Sequence, residues 1–118
     1  MIQTSGIDHI VLHCRDVERS KTFYTNVLGM SIYHDEGRHV FMHAGNQGVA
    51  LFESENDAAL GTATELNHLA LDVADGTYES LKAELEHHGV AVGGRPGEDH
   101  CIYFCDPDGH RLQLVFRR

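Results

Sequence analysis

The sequence predicts an α+β protein made of two βαβββ modules whose mixed sheets curl around one concave cup. Three observations predict it. Ile7-Asp8-His9-Ile10-Val11-Leu12 near the N-terminus returns as Leu66-Asn67-His68-Leu69-Ala70-Leu71 in the second half. Each copy is followed by a helix-like apolar period and then by three short β-rich strings. Each half is only about 55–60 residues, too small to bury a full core alone, so the two copies are expected to pack together. Residues 1–118 then form a single domain, with module 1 at about 5–55 and module 2 at about 64–118.

The elements of the first copy follow in order. The apolar string Ile7–Leu12 is a strand. Asp16 supplies a helix N-cap, because its carboxylate can accept the first unpaired backbone N–H groups. The helix runs from about Val17 to Leu28, with Val17, Phe23, Tyr24 and Val27 as its apolar side and Gly29 as a left-handed C-cap. Strands are expected near Met30–His34, His39–His43 and Gly48–Glu53. The small, polar stretch SENDAALGTATE, with Gly61 inside it, is a linker.

The second copy repeats the plan. Asp75 is the expected N-cap of a helix from about Thr77 to His88, with Tyr78, Leu81 and Leu85 as its stripe and Gly89 closing it. Strands are expected near Ala91–Val92, His100–Cys105 and Arg111–Phe116. Asp106-Pro107-Asp108-Gly109 between the last two is a tight turn, with proline at its second position.

Composition narrows the function. Eighteen acidic against nine basic residues give a formal net charge of −9, so a phosphate backbone or an anionic membrane is a poor partner. No apolar run approaches the roughly 20 residues of a membrane span. The N-terminus MIQTSGIDH shows no signal-peptide pattern, so the cytoplasm is the expected location. Cys14, Cys101 and Cys105 form no metal knuckle and are expected to stay thiols in a reducing compartment. A small molecule is the expected ligand, and no organic cofactor is indicated.

Strand alternation sorts the remaining candidates. His9, Val11 and His13 share one face of the first strand, and Ile10 and Leu12 turn the other way. His68, Ala70 and Asp72 share the matching face in copy two. Gln113 lies opposite Leu112 and Leu114, and Cys101, Tyr103 and Cys105 alternate with Ile102 and Phe104. Leu51 and Glu53 share a face of the last strand of copy one. A polar inner face therefore assembles from His9, His13, His68, Tyr103, Gln113 and Glu53. Two imidazoles at repeat-equivalent positions suit a divalent metal, and oxygen donors complete such a shell. The same pair also reads as two half-buried histidines hydrogen-bonded to their neighbours.

IDHIVLHCRDVERSKTFYTNVLGM, LNHLALDV and YFCDPDGHRLQLVF together resemble the vicinal oxygen chelate superfamily, which holds glyoxalase I, fosfomycin-resistance thiol transferases, extradiol dioxygenases and bleomycin-resistance proteins. The resemblance covers nearly the whole chain. It implies the glyoxalase/bleomycin-resistance/dioxygenase-like fold, a two-fold homodimer, and a divalent metal (Zn, Ni, Mn or Fe) held by His9, His68 and residue 113. Gln113 stands where the family pattern Asp-Pro-Asp-Gly-x-x-x-Glu has glutamate. The family's fourth ligand falls on Leu51, or on Glu53 with a two-residue shift. Val11, His13, Asp72 and Cys101 are the implied substrate contacts, and Tyr103 and Glu53, with Asp72, the groups able to move a proton. In the loop RPGEDH, Arg95 and His100 are within reach of an anionic substrate, although a solvated loop is the simpler reading. Two functions follow from the resemblance. One is a metal-dependent enzyme of lyase, isomerase, transferase or dioxygenase type on a small oxygen-chelating substrate. The other is a metal-free protein that sequesters a small molecule in the same cup.

Overall fold

The computed structural model describes residues 1–55, 66–94 and 100–116. The linker beyond Glu55 and the loop residue Arg95 lie outside the described residues. The chain divides into two compact units, Met1–Leu60 and Gly61–Arg118.

In the first unit, β1 (His9–Cys14) leads to α1 (Val17–Asn26), β2 (Ser31–Asp35), β3 (His39–Ala44) and β4 (Gln47–Glu53). The sheet order is β1-β4-β3-β2, with β1 parallel to β4 and the other pairs antiparallel. Asp16 caps α1 as its sequence position predicts, accepting from the backbone N–H of Glu18 and Arg19. The helix buries Val17, Ser20 and Tyr24. Tyr24 is fully buried and Phe23 only half-buried, because the i, i+3, i+7 row from Val17 passes through Ser20 to Tyr24. α1 packs on β4 and β3. Leu12, Cys14, Val40, Met42, Val49 and Leu51 supply the buried side of that sheet. A fully buried aliphatic side chain of this kind is worth about 1.5–3 kcal/mol, so the sheet makes a rigid mount for whatever its other face carries.

In the second unit, β5 (Leu69–Asp72) leads to α2 (Tyr78–His87), β6 (Cys101–Cys105) and β7 (Arg111–Val115), with sheet order β5-β7-β6. Again the first and last strands are parallel and the hairpin is antiparallel. The expected strand at Ala91–Val92 is reduced to a single bridge at Gly93, which exchanges two backbone hydrogen bonds with Tyr103 (2.8 and 3.0 Å). The α2 cap is Thr77 rather than Asp75. Thr77 and Ser80 bond each other's backbone N–H in a capping box, and a cap must sit next to the first helical residue. Leu85 is the buried residue of α2. Ile102, Phe104, Leu112, Leu114 and Phe116 form the rest of this core.

The Asp106–Gly109 turn is built on Asp106. Its Oδ1 accepts from the N–H of Asp108 and of His110 (both 2.9 Å), and its backbone N–H donates to the His110 carbonyl. Gly109 takes φ +89°, a left-handed value that a side chain resists. This turn fixes the start of β7, and hence the positions of Arg111 and Gln113.

Candidate functional site

The two parallel ladders set every candidate side chain. In the first unit, His9 pairs with Gly48, Val11 with Ala50 and His13 with Phe52. Laterally paired residues point to the same side of a sheet. His9, Val11 and His13 therefore share their face with Gly48, Ala50 and Phe52, and through β3 with His39, Phe41 and His43. This face carries stacked ring pairs: His39 on Phe52 at 4.1 Å and Tyr33 on His43 at 4.4 Å between centroids.

Leu51 and Glu53 belong to the opposite side. They pair with Leu12 and Cys14, on the buried side of the sheet. Leu51 is fully buried, and Glu53 Oε2 accepts the backbone N–H of Val17 at 3.0 Å, at the first turn of α1. Arg38 Nε lies 3.4 Å from the other oxygen of that carboxylate. The expectation that either residue faces the histidines is corrected by this register. A carboxylate at a helix N-terminus has a structural partner there, the unpaired N–H and the positive end of the helix.

The second unit repeats the geometry. Ala70 pairs with Gln113, which pairs in turn with Tyr103. Matching His68 to His9 and Ala70 to Val11 makes Gln113 the equivalent of Ala50, Tyr103 of Phe41, and Arg111 of Gly48. Asp72 pairs with Val115 on the same face, where it is exposed, and Cys101 also pairs with Val115 but is buried. Cys105 is exposed, and all three cysteines are thiols.

The two histidines are held in the same way. His9 Nδ1 lies 2.8 Å from Asp8 Oδ2, and His68 Nδ1 lies 2.8 Å from Asn67 Oδ1. Each ring also meets an aromatic edge-on, Phe41 and Tyr103 respectively, both at 5.9 Å. An oxygen acceptor on Nδ1 favours the tautomer protonated there and leaves the Nε2 lone pair for a ligand. Asp8 and Asn67 were passed over in the sequence, although each precedes its histidine in the repeated string. Each imidazole held in this way offers its Nε2 to a divalent ion, and the Gln113 amide oxygen is a further donor type on the face of the second unit. Among the described residues, no group of three or more His, Cys, Asp or Glu side chains is gathered closely enough to hold a metal.

Beside His68 opens a pocket of about 300 Å³, lined by Asn67, His68, Gly93, Gly94, Tyr103 and Arg111. Arg111 shares its face with Gln113 by strand alternation, a signal available in the sequence but not used. Of the two loop candidates, His100 is exposed and described.

Comparison with known proteins agrees with this architecture. Residues 6–114 match the profile of the Glyoxalase/Bleomycin resistance protein/Dioxygenase superfamily. The chain is 28% identical over 111 residues to a glutathione transferase FosA of Serratia marcescens, covering 92% of this chain and 79% of that protein. It is 31% identical over 122 residues to a catechol-2,3-dioxygenase of Bacillus subtilis, covering 98% of this chain but only 43% of the dioxygenase. The crystal structure of the fosfomycin resistance protein FosX from Mesorhizobium loti superposes with a TM-score of 0.78 at 25% identity, over 98% of this chain and 95% of that one. No helix among the described residues is long and apolar enough to cross a membrane. With its two βαβββ-derived units and its matched profile, the chain belongs to the glyoxalase/bleomycin resistance protein/dioxygenase superfamily.

Proposed function

We propose that the chain is a divalent-metal-dependent enzyme acting on a small substrate that offers two neighbouring oxygens, with the two units forming one domain around a single cup. His9, His68 and Gln113 would hold the ion. The observation that carries this reading is the matched pinning of both Nδ1 atoms at 2.8 Å, which leaves two Nε2 lone pairs at repeat-equivalent positions. A bound divalent ion supplies Lewis-acid stabilisation of charge developing on substrate oxygen. The protein's own contribution is orientation. Asp8 and Asn67 fix the imidazoles, Tyr103 stands against the His68 ring as the candidate proton donor, and Val11, His13 and Asp72 lie on the faces that would meet substrate. Cys101 is on the same face but buried, and Glu53 is engaged by α1. The names of the FosA and FosB relatives, a glutathione transferase and metallothiol transferases, make transfer to a small electrophile the favoured reaction class. We further propose a two-fold homodimer, which would cover exposed sheet edges, and a cytoplasmic setting suited to three thiols.

Gln113 and Ala50 favour a second reading. Neither repeat places a carboxylate at this position, so a metal-free cup that sequesters a small molecule would also use this face. Metal analysis of protein purified without chelator separates the two. The expected result is one divalent ion per chain, lost in both His9→Ala and His68→Ala with the fold retained. Protein that takes up no Zn²⁺, Ni²⁺, Mn²⁺ or Fe²⁺ on titration would overturn the enzyme reading in favour of sequestration.

A further inference from the structure

We propose that Arg111 makes the pocket beside His68 an oxyanion site, taking a carboxylate or phosphonate group of a small ligand. The proposal rests on that pocket being the substrate site, but the binding it predicts needs no metal. Three observations carry it.

Arg111 is the first residue of β7, is exposed, and lines the pocket with Asn67, His68 and Tyr103. No carboxylate of the described residues lies within ion-pair distance of it. Two other cations of this acidic chain are committed. Lys21 bridges Glu18 and Asp35 at 2.9 and 3.1 Å, and Arg38 reaches Glu55 at 3.1 Å. A guanidinium left without a carboxylate at a pocket wall is available to an anion, and its planar fork matches the two oxygens of a carboxylate or phosphonate.

Part of the pocket wall is glycine. Gly93 and Gly94 line it, and Gly93 is tied to Tyr103 through backbone hydrogen bonds. A glycine wall keeps room for a ligand beside the guanidinium. A Cβ on Gly93 would meet nothing nearer than the Tyr103 carbonyl at 3.9 Å, so close backbone packing does not demand glycine there.

The repeat supplies the third observation. Arg111 occupies the place that Gly48 holds in the first unit. There a Cβ would come within 2.9 Å of the His9 Cβ, so the space beside that histidine is closed. The second copy keeps the ladder, the pinned histidine and the edge-on ring, but replaces the glycine with a long cation. Scaffold needs are met without a cation, so the arginine is an addition specific to the second pocket.

The test uses the full chain with chelator present throughout, so that metal plays no part. Propionate and methylphosphonate are titrated and followed by amide and arginine Nε–H resonances, with neutral propionamide as the shape control. Both anions are expected to shift the Arg111 Nε–H signal, and propionamide is not. Arg111→Gln is expected to weaken binding roughly 10- to 100-fold, whereas Lys82→Gln, an equal loss of charge on α2, leaves it within twofold. An unmoved Arg111 signal in the wild type overturns the proposal without recourse to any variant. So does an Arg111→Gln protein that binds propionate as tightly as wild type, or a Lys82→Gln protein that loses as much. Anion binding in a protein that takes up no metal would leave this site standing while the enzyme reading fell. Metal uptake without anion binding would do the reverse.

Discussion

Gly48 is the most sharply constrained position beside a candidate ligand. It lies inside β4, where glycine is normally a cost, and it is buried. Its amide donates to the Asp8 carbonyl at 2.7 Å, drawing the strand against the residue that pins His9. An added Cβ would lie 2.9 Å from His9 Cβ and 3.1 Å from the Asp8 carbonyl oxygen. Carbon atoms settle at about 3.5–4.0 Å, so Gly48→Ala must displace His9 or β4 by about 0.6–1.1 Å. Overpacking of this size costs about 1–3 kcal/mol, partly offset by about 0.4–1 kcal/mol from a stiffer unfolded chain. A net loss of about 1–2 kcal/mol corresponds to a melting temperature lower by about 3–10 °C. The His9 ring resonances should move with it, and Zn²⁺ affinity should fall about 10- to 100-fold, the usual penalty for disturbing a ligand's support. Gly93→Ala is the control and should melt near wild type, since its Cβ finds ordinary space. A Gly48→Ala protein that melts at or above wild type, with the His9 signals in place, would refute the argument that glycine is there to admit the histidine.

Glu53→Gln should lower stability by about 0.5–1.5 kcal/mol, through the weakened bond to the Val17 N–H, while leaving metal affinity within twofold; a collapse of metal binding at unchanged stability would put this side chain back on the histidine face. The Asp35 carboxyl is held below its ordinary value of 3.8, first by the Gly37 N–H and then by the Lys21 ammonium. A depressed folded value contributes stability above 3.8 that is lost as pH falls through the folded value. Thermal melts of Asp35→Asn should therefore lie below wild type at neutral pH and converge with it in strong acid, and a constant gap would count against the linkage. Gln113→Glu gives the proposed shell a carboxylate at little change in shape, so Zn²⁺ affinity should rise roughly 5- to 150-fold, or about 1–3 kcal/mol; a variant that binds no tighter and melts lower with and without metal would remove residue 113 from any shell.

Much of the fold was legible because the repeat doubles every signal. Asp16 before an apolar period, Gly29 and Gly89 after the helices, and the Asp106–Gly109 turn each rest on local chemistry that a sequence displays. Position 91–92 was not legible, since a bridge at Gly93 depends on its partner Tyr103 rather than on its own residues. Thr77 displaced Asp75 because capping is decided by the residue adjoining the helix, and both types cap well. The error at Glu53 has a different origin. Alternation tells which residues of one strand share a face, but not which face that is. Only the pairing of β4 with β1 ties Glu53 to Cys14 and turns it toward α1. Arg111 was missed for the complementary reason: an arginine at a strand end reads as solvated until a pocket is seen around it.

The same pairing shows where the two copies have parted. At three equivalent places on the histidine face, the first unit carries Ala50, Phe41 and Gly48, and the second carries Gln113, Tyr103 and Arg111. Each change adds a polar group to the second unit, and none removes a core side chain. Leu51 and Leu114, at matching positions on the buried side, keep the same residue type. The exchange runs both ways, since the first unit carries His39 and His43 where the second carries Cys101 and Cys105. The first unit's face carries several imidazoles, two of them in stacked ring pairs, and the second unit's face carries the amide, the phenol and the guanidinium. In the second unit these three groups all come from β6 and β7, the hairpin that the Asp106–Gly109 turn closes.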